Sequence, residues 1–387
     1  MRRWKKENNE PGCSTINLEF LRSSHLAFPF ALASHQIQKK DDSDVVAQNT
    51  NHHTSTMSKT FLITGANSGL GLDSTRQLAL REDVKKIYMA CRSQEKAEKA
   101  IEGLVADAGV SKDKLEFIKF DGSASKADVE AAIAGSLPKD VVLDGVVLNA
   151  GGAGNDTTGK PSGPNNVIPI IQINLVAHVH LIDFLVKKGH FRLNNNNKAN
   201  KSRVIYVGTE GSRGVDLIGM KAPEFSESTV EYFKTYLDGS AYSKTKYDGM
   251  NVAYPDAKGI ATFYMAAWAR AHPDLFVLTV SPGGTKGTAF AADESIPFVL
   301  QKIFPIFMWV MGKLGKFHEL PVGAKRYVDA VTGEGEFEAF TTSGAFIASK
   351  SGVTGPVSDQ VETFETAKQY GDVAKQDAVF KAVNEYL

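Results

Sequence analysis

The 387-residue sequence is poor in cysteine, has no excess charge of either sign and lacks long hydrophobic runs. It contains only two cysteines, which excludes a disulfide framework and is typical of a reducing compartment. Basic and acidic residues number 44 each, so the net charge gives no reason to expect nucleic acid as a partner. Lys302 and Pro305 interrupt the longest apolar stretch, which falls short of the roughly 20 residues that span a bilayer. The composition therefore predicts a soluble or peripherally attached protein.

Residues 1–56 lack the pattern of a folded domain. They are polar and mixed in charge, and they end in a low-complexity run over 48–54. We interpret them as a disordered extension. A targeting segment is the alternative, although acidic residues such as Glu7 and Asp41 are unusual in one. Met57, directly before the first apolar run, also permits a start at that residue.

Strand-like apolar runs alternate with amphipathic helical segments from Thr60 onward. Continuous apolar runs joined by helices are typical of a parallel sheet that is covered on both faces. The sequence therefore predicts a single α/β domain over residues 57–387, built on a doubly wound parallel sheet of the Rossmann type. We expect an insert over 212–253 and a helical C-terminal tail over 356–387. The runs are residues 61–64, 86–90, 115–120, 145–149, 204–207 and 276–281.

A glycine-rich turn follows the first predicted strand and precedes a helical segment. Glycines permit a tight turn and let backbone amides approach a pyrophosphate, while the start of the helix adds partial positive charge. The turn therefore predicts a dinucleotide site. Its predicted binding residues are Gly65, Asn67, Ser68, Gly69, Leu70 and Gly71.

The end of the second predicted strand indicates which nicotinamide cofactor is used. Enzymes that use NAD commonly place an acidic residue there to bind the ribose hydroxyls. This chain has Arg92 instead, and with Lys96 it could bind a 2′-phosphate. The sequence therefore predicts NADPH rather than NADH. Further cofactor contacts are predicted at later strand ends, where ligands of such sheets bind, by Asp121, Gly122, Asn149, Ala150 and Gly151.

Tyr254 and Lys258 are the candidate reaction centre, because residues four apart share one helix face. We expect the lysine charge to lower the pKa of the phenol, so that Tyr254 exchanges a proton while hydride moves to or from nicotinamide. Lys258 could also hold the nicotinamide ribose. Tyr242 and Lys246 form a competing pair, but the helix breakers that follow favour Tyr254 and predict Tyr242 to be exposed in the inserted loop.

Two further residues are candidate catalytic groups. The hydroxyl of Thr209, after the fifth strand, could bind the substrate or orient the tyrosine, or the residue could simply end the strand. Asn174 could hold a water in a proton relay, or it could be a buried asparagine bonded to the backbone. The residues alone leave both alternatives open.

Together these features resemble the short-chain dehydrogenase/reductase family. The resemblance covers about residues 59–347 and includes Asn149-Ala150-Gly151 and Ser281-Pro282-Gly283. It implies a nicotinamide-binding fold and an oxidoreductase activity. It also implies cofactor contacts by Tyr254, Lys258, Pro282 and Gly283.

Within the family, the sequence is most similar to the light-dependent protochlorophyllide oxidoreductases, through residues 89–92, 96–100, 207–209, 296–331 and 362–387 and the long insert. This similarity implies light-driven reduction of a tetrapyrrole double bond, with hydride from NADPH and a proton associated with Tyr254. It implies protochlorophyllide as the small-molecule substrate and a plastid as the compartment, with the cytoplasm as the alternative. Two departures are Gly284, where that branch has cysteine, and Thr209, where it has serine.

Three functions remain open on this sequence. A pigment reductase predicts a large apolar pocket formed by the insert and residues 296–314. An NADPH-dependent carbonyl reductase or alcohol dehydrogenase would suit Gly284. An NADPH-binding scaffold without turnover is the third. The stretch around Trp309 is interpreted as a lid or core helix, with peripheral membrane contact as the alternative. We predict no metal site.

Overall fold

The computed structural model describes residues 58–152, 158–193, 201–243, 247–286, 312 and 315–387. The chain divides into two units, residues 1–54 and 55–387. The predicted N-terminal extension and the stretch around Trp309 lie outside the described residues. The described residues all belong to the second unit.

One eight-stranded sheet forms the centre of the described domain, in the order β3-β2-β1-β4-β5-β6-β7-β8. Strands β1 to β7 pair in parallel, and β8 pairs antiparallel to β7 at the edge. This arrangement confirms the predicted doubly wound fold. The strands are β1 Lys59–Thr64, β2 Val84–Cys91, β3 Leu115–Lys119, β4 Gly145–Leu148, β5 Arg203–Val207, β6 Phe276–Val280, β7 Ala345–Ser351 and β8 Thr354–Asp359.

Helices cover both faces of the sheet and bury two apolar clusters. One cluster packs α3, α4, α6 and α9 on one face, and the other packs α1, α2 and α7 on the opposite face. The alternating strand residues Tyr206 and Val207 therefore face different clusters. The helices are α1 Gly69–Ala79, α2 Gln94–Ala108, α3 Lys126–Ser136, α4 Pro169–Lys187, α5 Val230–Leu237, α6 Tyr254–Ala271, α7 Leu320–Thr332, α8 Gln360–Thr363 and α9 Val373–Asn384.

The strand order reverses between β1 and β4, and this positions the site. After β3 the chain crosses back to place β4 on the other side of β1. In doubly wound sheets the helices diverge at this point and leave a crevice at the carboxyl ends of the strands. The glycine turn follows β1, and Asn149 follows β4, so both lie at that crevice.

Helix α4 contains a π-helical turn over Gln172–Val176, and Asn174 lies in its middle. Such turns are rare and frequently occur at functional sites. The helix is long and apolar enough to cross a membrane, but 78% of its apolar window is buried inside the domain. Burial of this kind is typical of the core helix of a globular protein.

The insert and the C-terminal tail are hydrogen-bonded to each other. Tyr370 Oη donates to the carbonyl of Ser212 at 2.7 Å, and Lys375 Nζ donates to that of Phe225 at 2.6 Å. The first residues of the predicted helical tail, 356–359, instead belong to strand β8, because they pair with β7 and cover the edge of the sheet. The tail's helices begin at Gln360.

Candidate active site

The glycine turn after β1 has the close backbone approach that a dinucleotide site requires. Gly65 and Gly69 have φ values of +66° and +54°, which disfavour other residues. A Cβ atom at Gly71 would lie 2.4 Å from the carbonyl oxygen of Gly65. Helix α1 begins directly after Ser68, whose side chain makes no capping hydrogen bond. The amides of the first helical turn are therefore suited to an anionic ligand.

The end of β4 is hydrogen-bonded to this turn. Asn149 Nδ2 donates to the carbonyl of Thr64 at 2.9 Å, and the amide of Ala150 donates to Thr64 Oγ1 at 2.8 Å. A Cβ at Gly151 would lie 2.4 Å from Asn174 Oδ1 and 3.6 Å from Lys258 Nζ. Gly151, a predicted cofactor residue, therefore lies beside the predicted catalytic residues Asn174 and Lys258.

Arg92 and Asp121 lie at neighbouring strand ends, as expected from the sequence. Arg92 is exposed, and its carbonyl accepts a hydrogen bond from Lys119 Nζ at 2.6 Å. Asp121 accepts from the amide and hydroxyl of Ser123 at 3.0 and 2.7 Å. Burial tends to raise the pKa of Asp121, but these hydrogen bonds and the charges of Arg92 and Lys119 outweigh it, and the pKa is lowered. Gly122 lies beside α4, where its carbonyl accepts from Gln172 at 3.3 Å. The crevice thus has two cations and one carboxylate at this end.

Lys258 is buried at the carboxyl end of β5, with 2% of its surface exposed. Its Nζ donates to the carbonyl oxygen of Val207 at 2.8 Å and lies 5.8 Å from the ring centroid of Tyr254. Helix α6 begins at Tyr254, with Pro255 in its first turn, as predicted. Burial lowers the pKa of Lys258 to about 7. The ammonium is therefore available at neutral pH, but its charge is poorly solvated.

The expected lowering of the tyrosine pKa is wrong. Burial and the negative charge of Glu210 raise the pKa of Tyr254 above its ordinary value of 10.0. Desolvation disfavours both charged forms, the tyrosinate and the ammonium. Tyr254 is therefore a neutral phenol over the physiological range, which is the state that donates a proton.

The two other candidate catalytic residues have partners within the protein. Thr209 Oγ1 accepts a hydrogen bond from the amide of Gly211 at 3.1 Å. Asn174 Nδ2 donates to the carbonyls of Gly152 and Ile170, both at 2.8 Å, and Oδ1 accepts from the amide of Gly152 at 3.1 Å. The side chain of Asn174 therefore holds the loop after β4 in place. Catalytic roles for both residues stay predictions.

The Pro282-Gly283 turn follows β6 at the same edge of the sheet. Gly283 has a φ of +79°, and a Cβ there would lie 2.7 Å from His318 Cε1 and 2.8 Å from Arg326 Nη1. His318 Nε2 lies 2.7 Å from the carbonyl oxygen of Pro282. The turn is therefore closely packed against the segment that leads into α7.

Glu210 is a buried group at the site that the sequence analysis missed. Its carboxylate accepts hydrogen bonds from the hydroxyls of Ser281 and Ser349 and lies 3.4 Å from Arg326 Nη1. These partners come from three separate parts of the chain. Its position directly after Thr209 was the only available sequence signal.

Tyr242 is not exposed, contrary to the sequence prediction. It is 7% exposed and donates a hydrogen bond to Asp256 Oδ2 at 3.0 Å. Aromatic side chains of the insert surround it, which a prediction of a solvated loop could not anticipate. Lys246, its proposed partner, lies outside the described residues, as do residues 296–311 of the predicted pigment pocket.

The sheet and the glycine turn together define a dinucleotide-binding fold of the Rossmann type, and with the tyrosine–lysine pair they fit a nicotinamide cofactor. Within the described residues, no group of three or more His, Cys, Asp or Glu side chains could hold a metal ion.

Comparisons with known proteins agree with this class. Residues 59–211 match the model of the short chain dehydrogenase family. Short chain dehydrogenase yanD of Aspergillus niger is 29% identical over 197 residues, which cover 49% of this chain and 57% of that protein. Short chain dehydrogenase virL of Hypocrea virens is 25% identical over 71% of this chain and 72% of its own.

Other relatives match shorter segments. The 3-keto-steroid reductase erg27 of Schizosaccharomyces pombe is 40% identical over 101 residues, 24% of this chain and 30% of its own.

The crystal structure of the KRED1-Pglu enzyme shares the fold with a TM-score of 0.50 and 16% identity, over 75% of this chain and all of that one.

Proposed function

We propose that the protein is an NADPH-dependent reductase in which Tyr254 donates the proton and Lys258 holds the reacting groups in place. The observation that carries this proposal is the buried ammonium of Lys258 at the end of β5, beside both Tyr254 and Gly151. A lysine is rarely buried without a functional or structural reason, because desolvation of its charge is costly. When bound, the nicotinamide cofactor supplies hydride.

The protonation states suit reduction rather than oxidation as the starting direction. Tyr254 holds its proton because burial and Glu210 raise its pKa, so the phenol can donate to a substrate oxygen or carbon that accepts hydride. Lys258 has three donors, and Val207 takes one of them. The others suit ribose hydroxyls near Gly151.

We propose NADPH over NADH because Arg92 is exposed at the end of β2 and Lys119 lies beside it. The test is the dissociation constant of each cofactor, measured by the quenching of protein fluorescence, for the wild type and for Arg92→Ala. We expect the substitution to weaken NADPH binding by about tenfold or more while it leaves NADH nearly unchanged, because one charge-assisted contact to phosphate is lost. Equal losses of affinity for both cofactors would refute the proposed contact between Arg92 and the 2′-phosphate.

For the substrate, we propose a carbonyl compound reduced in the dark. The observation that favours it is the packing at Gly284, where a Cβ would lie 2.5 Å from Val353 Cγ2 and 2.9 Å from Phe317 Cδ1. A cysteine at this position would have to displace both side chains. The packing at Gly284 therefore disfavours the thiol-bearing side chain of the pigment-reducing branch. Sustained oxidation of NADPH by ketones and aldehydes in darkness would support this substrate class.

Light-driven reduction of protochlorophyllide is the second candidate, with a plastid as the compartment. The observation that favours it is the long insert near the site. Hydrogen bonds from Tyr370 and Lys375 attach this insert to the C-terminal tail. The decisive measurement is the absorption spectrum of the protein with NADPH and protochlorophyllide, before and after illumination. Tyr254→Phe is the control. Conversion in light that the control lacks would establish this candidate and overturn the dark carbonyl reductase as the main activity.

NADPH binding without turnover of any tested carbonyl or pigment would instead indicate a scaffold. In that case Tyr254→Phe would leave cofactor affinity unchanged. The three outcomes are therefore distinguishable with one set of purified proteins.

A further inference from the structure

Two buried polar residues, Tyr206 and His178, lie directly behind the reaction centre and have no role in the mechanism above. Tyr206 is on β5, one residue before the Val207 carbonyl that Lys258 binds. His178 is on α4, four residues after Asn174. Their exposed fractions are 0% and 1%. Buried polar groups are nearly always hydrogen-bonded, so their partners indicate what they hold.

Both side chains point to one atom, the carbonyl oxygen of Asn174. Tyr206 Oη donates to it at 2.8 Å, and His178 Nδ1 lies 3.3 Å from it. Because a carbonyl oxygen can only accept, Nδ1 of His178 must carry the ring proton. Burial and the charge of Lys258 lower the pKa of His178 to about 3, so the ring is neutral and Nε2 is an acceptor.

The acceptor nitrogen of His178 connects this centre to the cofactor turn. Thr64 Oγ1, at the end of β1, lies 3.1 Å from Nε2 and 3.4 Å from the carbonyl of Val147. Because Nε2 carries no proton in this tautomer, the Thr64 hydroxyl is the donor in the contact with the imidazole. The same oxygen accepts the amide of Ala150. One hydrogen-bonded chain thus extends from the glycine turn to Asn174.

The ring of Tyr206 has a second contact, with the ammonium of Lys258. Nζ lies 4.8 Å from the centroid of this ring, closer than it lies to Tyr254. An ammonium above an aromatic face is attracted by the ring quadrupole, most strongly where water is excluded. The other ionisable groups that act on this centre include His178 on α4, Glu210 after β5, whose charge acts on Tyr254, and Tyr327 on α7, whose pKa is raised by burial and by Tyr254.

We propose that Tyr206 and His178 are positioning residues of the reduction: their hydroxyl and imidazole fix the carbonyl of Asn174, and the ring of Tyr206 fixes the ammonium of Lys258 beside Tyr254. This inference rests on the proposed function. Two protein donors thus converge on the carbonyl oxygen of Asn174, which can accept from both.

The two halves of the proposal can be separated by substitution at Tyr206. Tyr206→Phe removes the hydroxyl and keeps the ring, whereas Tyr206→Leu removes both. The matched control is Tyr264→Phe on α6, which removes another buried hydroxyl, bonded to Asn384 Oδ1 at 3.2 Å, away from Asn174. Each protein is assayed for NADPH affinity as a function of pH, and for kcat on the substrate that the wild type reduces.

We expect Tyr206→Phe to lower kcat by about tenfold, since a small displacement of positioned groups has effects of at least this size. Its NADPH affinity should keep the wild-type pH profile, because the ring still faces Lys258. Tyr206→Leu should shift the alkaline loss of NADPH affinity to lower pH by about one unit, because the deprotonated lysine is then favoured. Tyr264→Phe should change neither property.

The outcomes distinguish this inference from the proposed function. If the wild type does not bind NADPH, or if Tyr254→Phe keeps full turnover, the proposed function is wrong and the inference falls with it. If both of those tests succeed while the Tyr206 variants match the wild type, only the inference is overturned. Should Tyr206→Leu fail to fold, Tyr206→Phe and His178→Asn decide. A lower kcat for Tyr206→Phe, together with a kcat near that of the wild type for His178→Asn, whose amide keeps a hydrogen-bond donor, supports the proposal. A wild-type kcat for Tyr206→Phe refutes it.

Discussion

The replacement Lys258→Met should stabilise the cofactor-free protein while it abolishes reduction. Burial lowers the pKa of Lys258 from 10.5 to about 7. At about 1.4 kcal/mol for each unit, the charged form costs on the order of 5 kcal/mol of folding free energy below pH 7. Methionine has a similar length and no charge, but it leaves the Val207 carbonyl without its donor, which costs about 1–3 kcal/mol. The net gain is therefore about 2–4 kcal/mol near pH 6.

The sign of the pH dependence follows from the direction of the shift. Between about pH 7 and 10.5 the unfolded chain binds a proton at Lys258 that the folded protein does not. Wild-type stability therefore rises with pH across this window, and the advantage of methionine shrinks, disappears within the window and is reversed at its upper end. The assay is urea unfolding of both proteins at several pH values across the window, with the midpoints compared.

Lys99→Met is the matched control, because Lys99 is exposed on α2. A surface substitution of this kind should change stability by less than about 0.5 kcal/mol at every pH. The reasoning is refuted if Lys258→Met is less stable than the wild type throughout, or if its advantage is the same at pH 6 and at pH 10. Either result would mean that the ammonium is better solvated than its burial implies.

Three further predictions follow from the site. Gly71→Ala should weaken NADPH binding by at least about tenfold in a fluorescence titration, because its Cβ would lie 2.4 Å from the Gly65 carbonyl and the turn must open; unchanged affinity would contradict the close approach. Glu210→Gln should lower the pKa of Tyr254, since the negative charge that adds to burial in raising it is lost while the hydrogen-bonding shape remains. An ultraviolet titration of tyrosinate, compared with the same variant carrying Tyr254→Phe, measures this pKa, and no lowering would exclude Glu210 as a cause. NADPH binding near pH 8 should take up protons, because Lys258 is largely neutral beforehand, and calorimetry in buffers of different ionisation enthalpy measures this uptake. Equal heats in all buffers would exclude it.

The parts of the fold that were predictable depend on local patterns. Apolar runs and the glycine turn over residues 65–71 depend on neighbours in sequence, and the sheet is confirmed with each predicted run at a strand. Tyr242 was assigned incorrectly because its burial depends on aromatic residues elsewhere in the insert and on Asp256. Glu210 was missed for the same reason, since its partners Ser281 and Ser349 are distant in the chain. The candidate cofactor and catalytic residues lie around one crevice, and their roles stay predictions.

The error in the pKa of Tyr254 shows why residue types and spacing were insufficient at the reaction centre. The sequence places a cation four residues away, and Coulomb attraction alone would favour the tyrosinate. In the structure Lys258 is buried and Tyr254 is half-buried beside it, and desolvation acts against both charges: it raises the pKa of Tyr254 and lowers that of Lys258. The pair is thereby kept close to neutral before a ligand arrives. Hydroxyl groups of a bound cofactor would solvate the ammonium without ionising the phenol, so cofactor binding and the protonation of Lys258 must favour each other. Burial at this site thus couples the binding step to the protonation state that the proposed reduction requires.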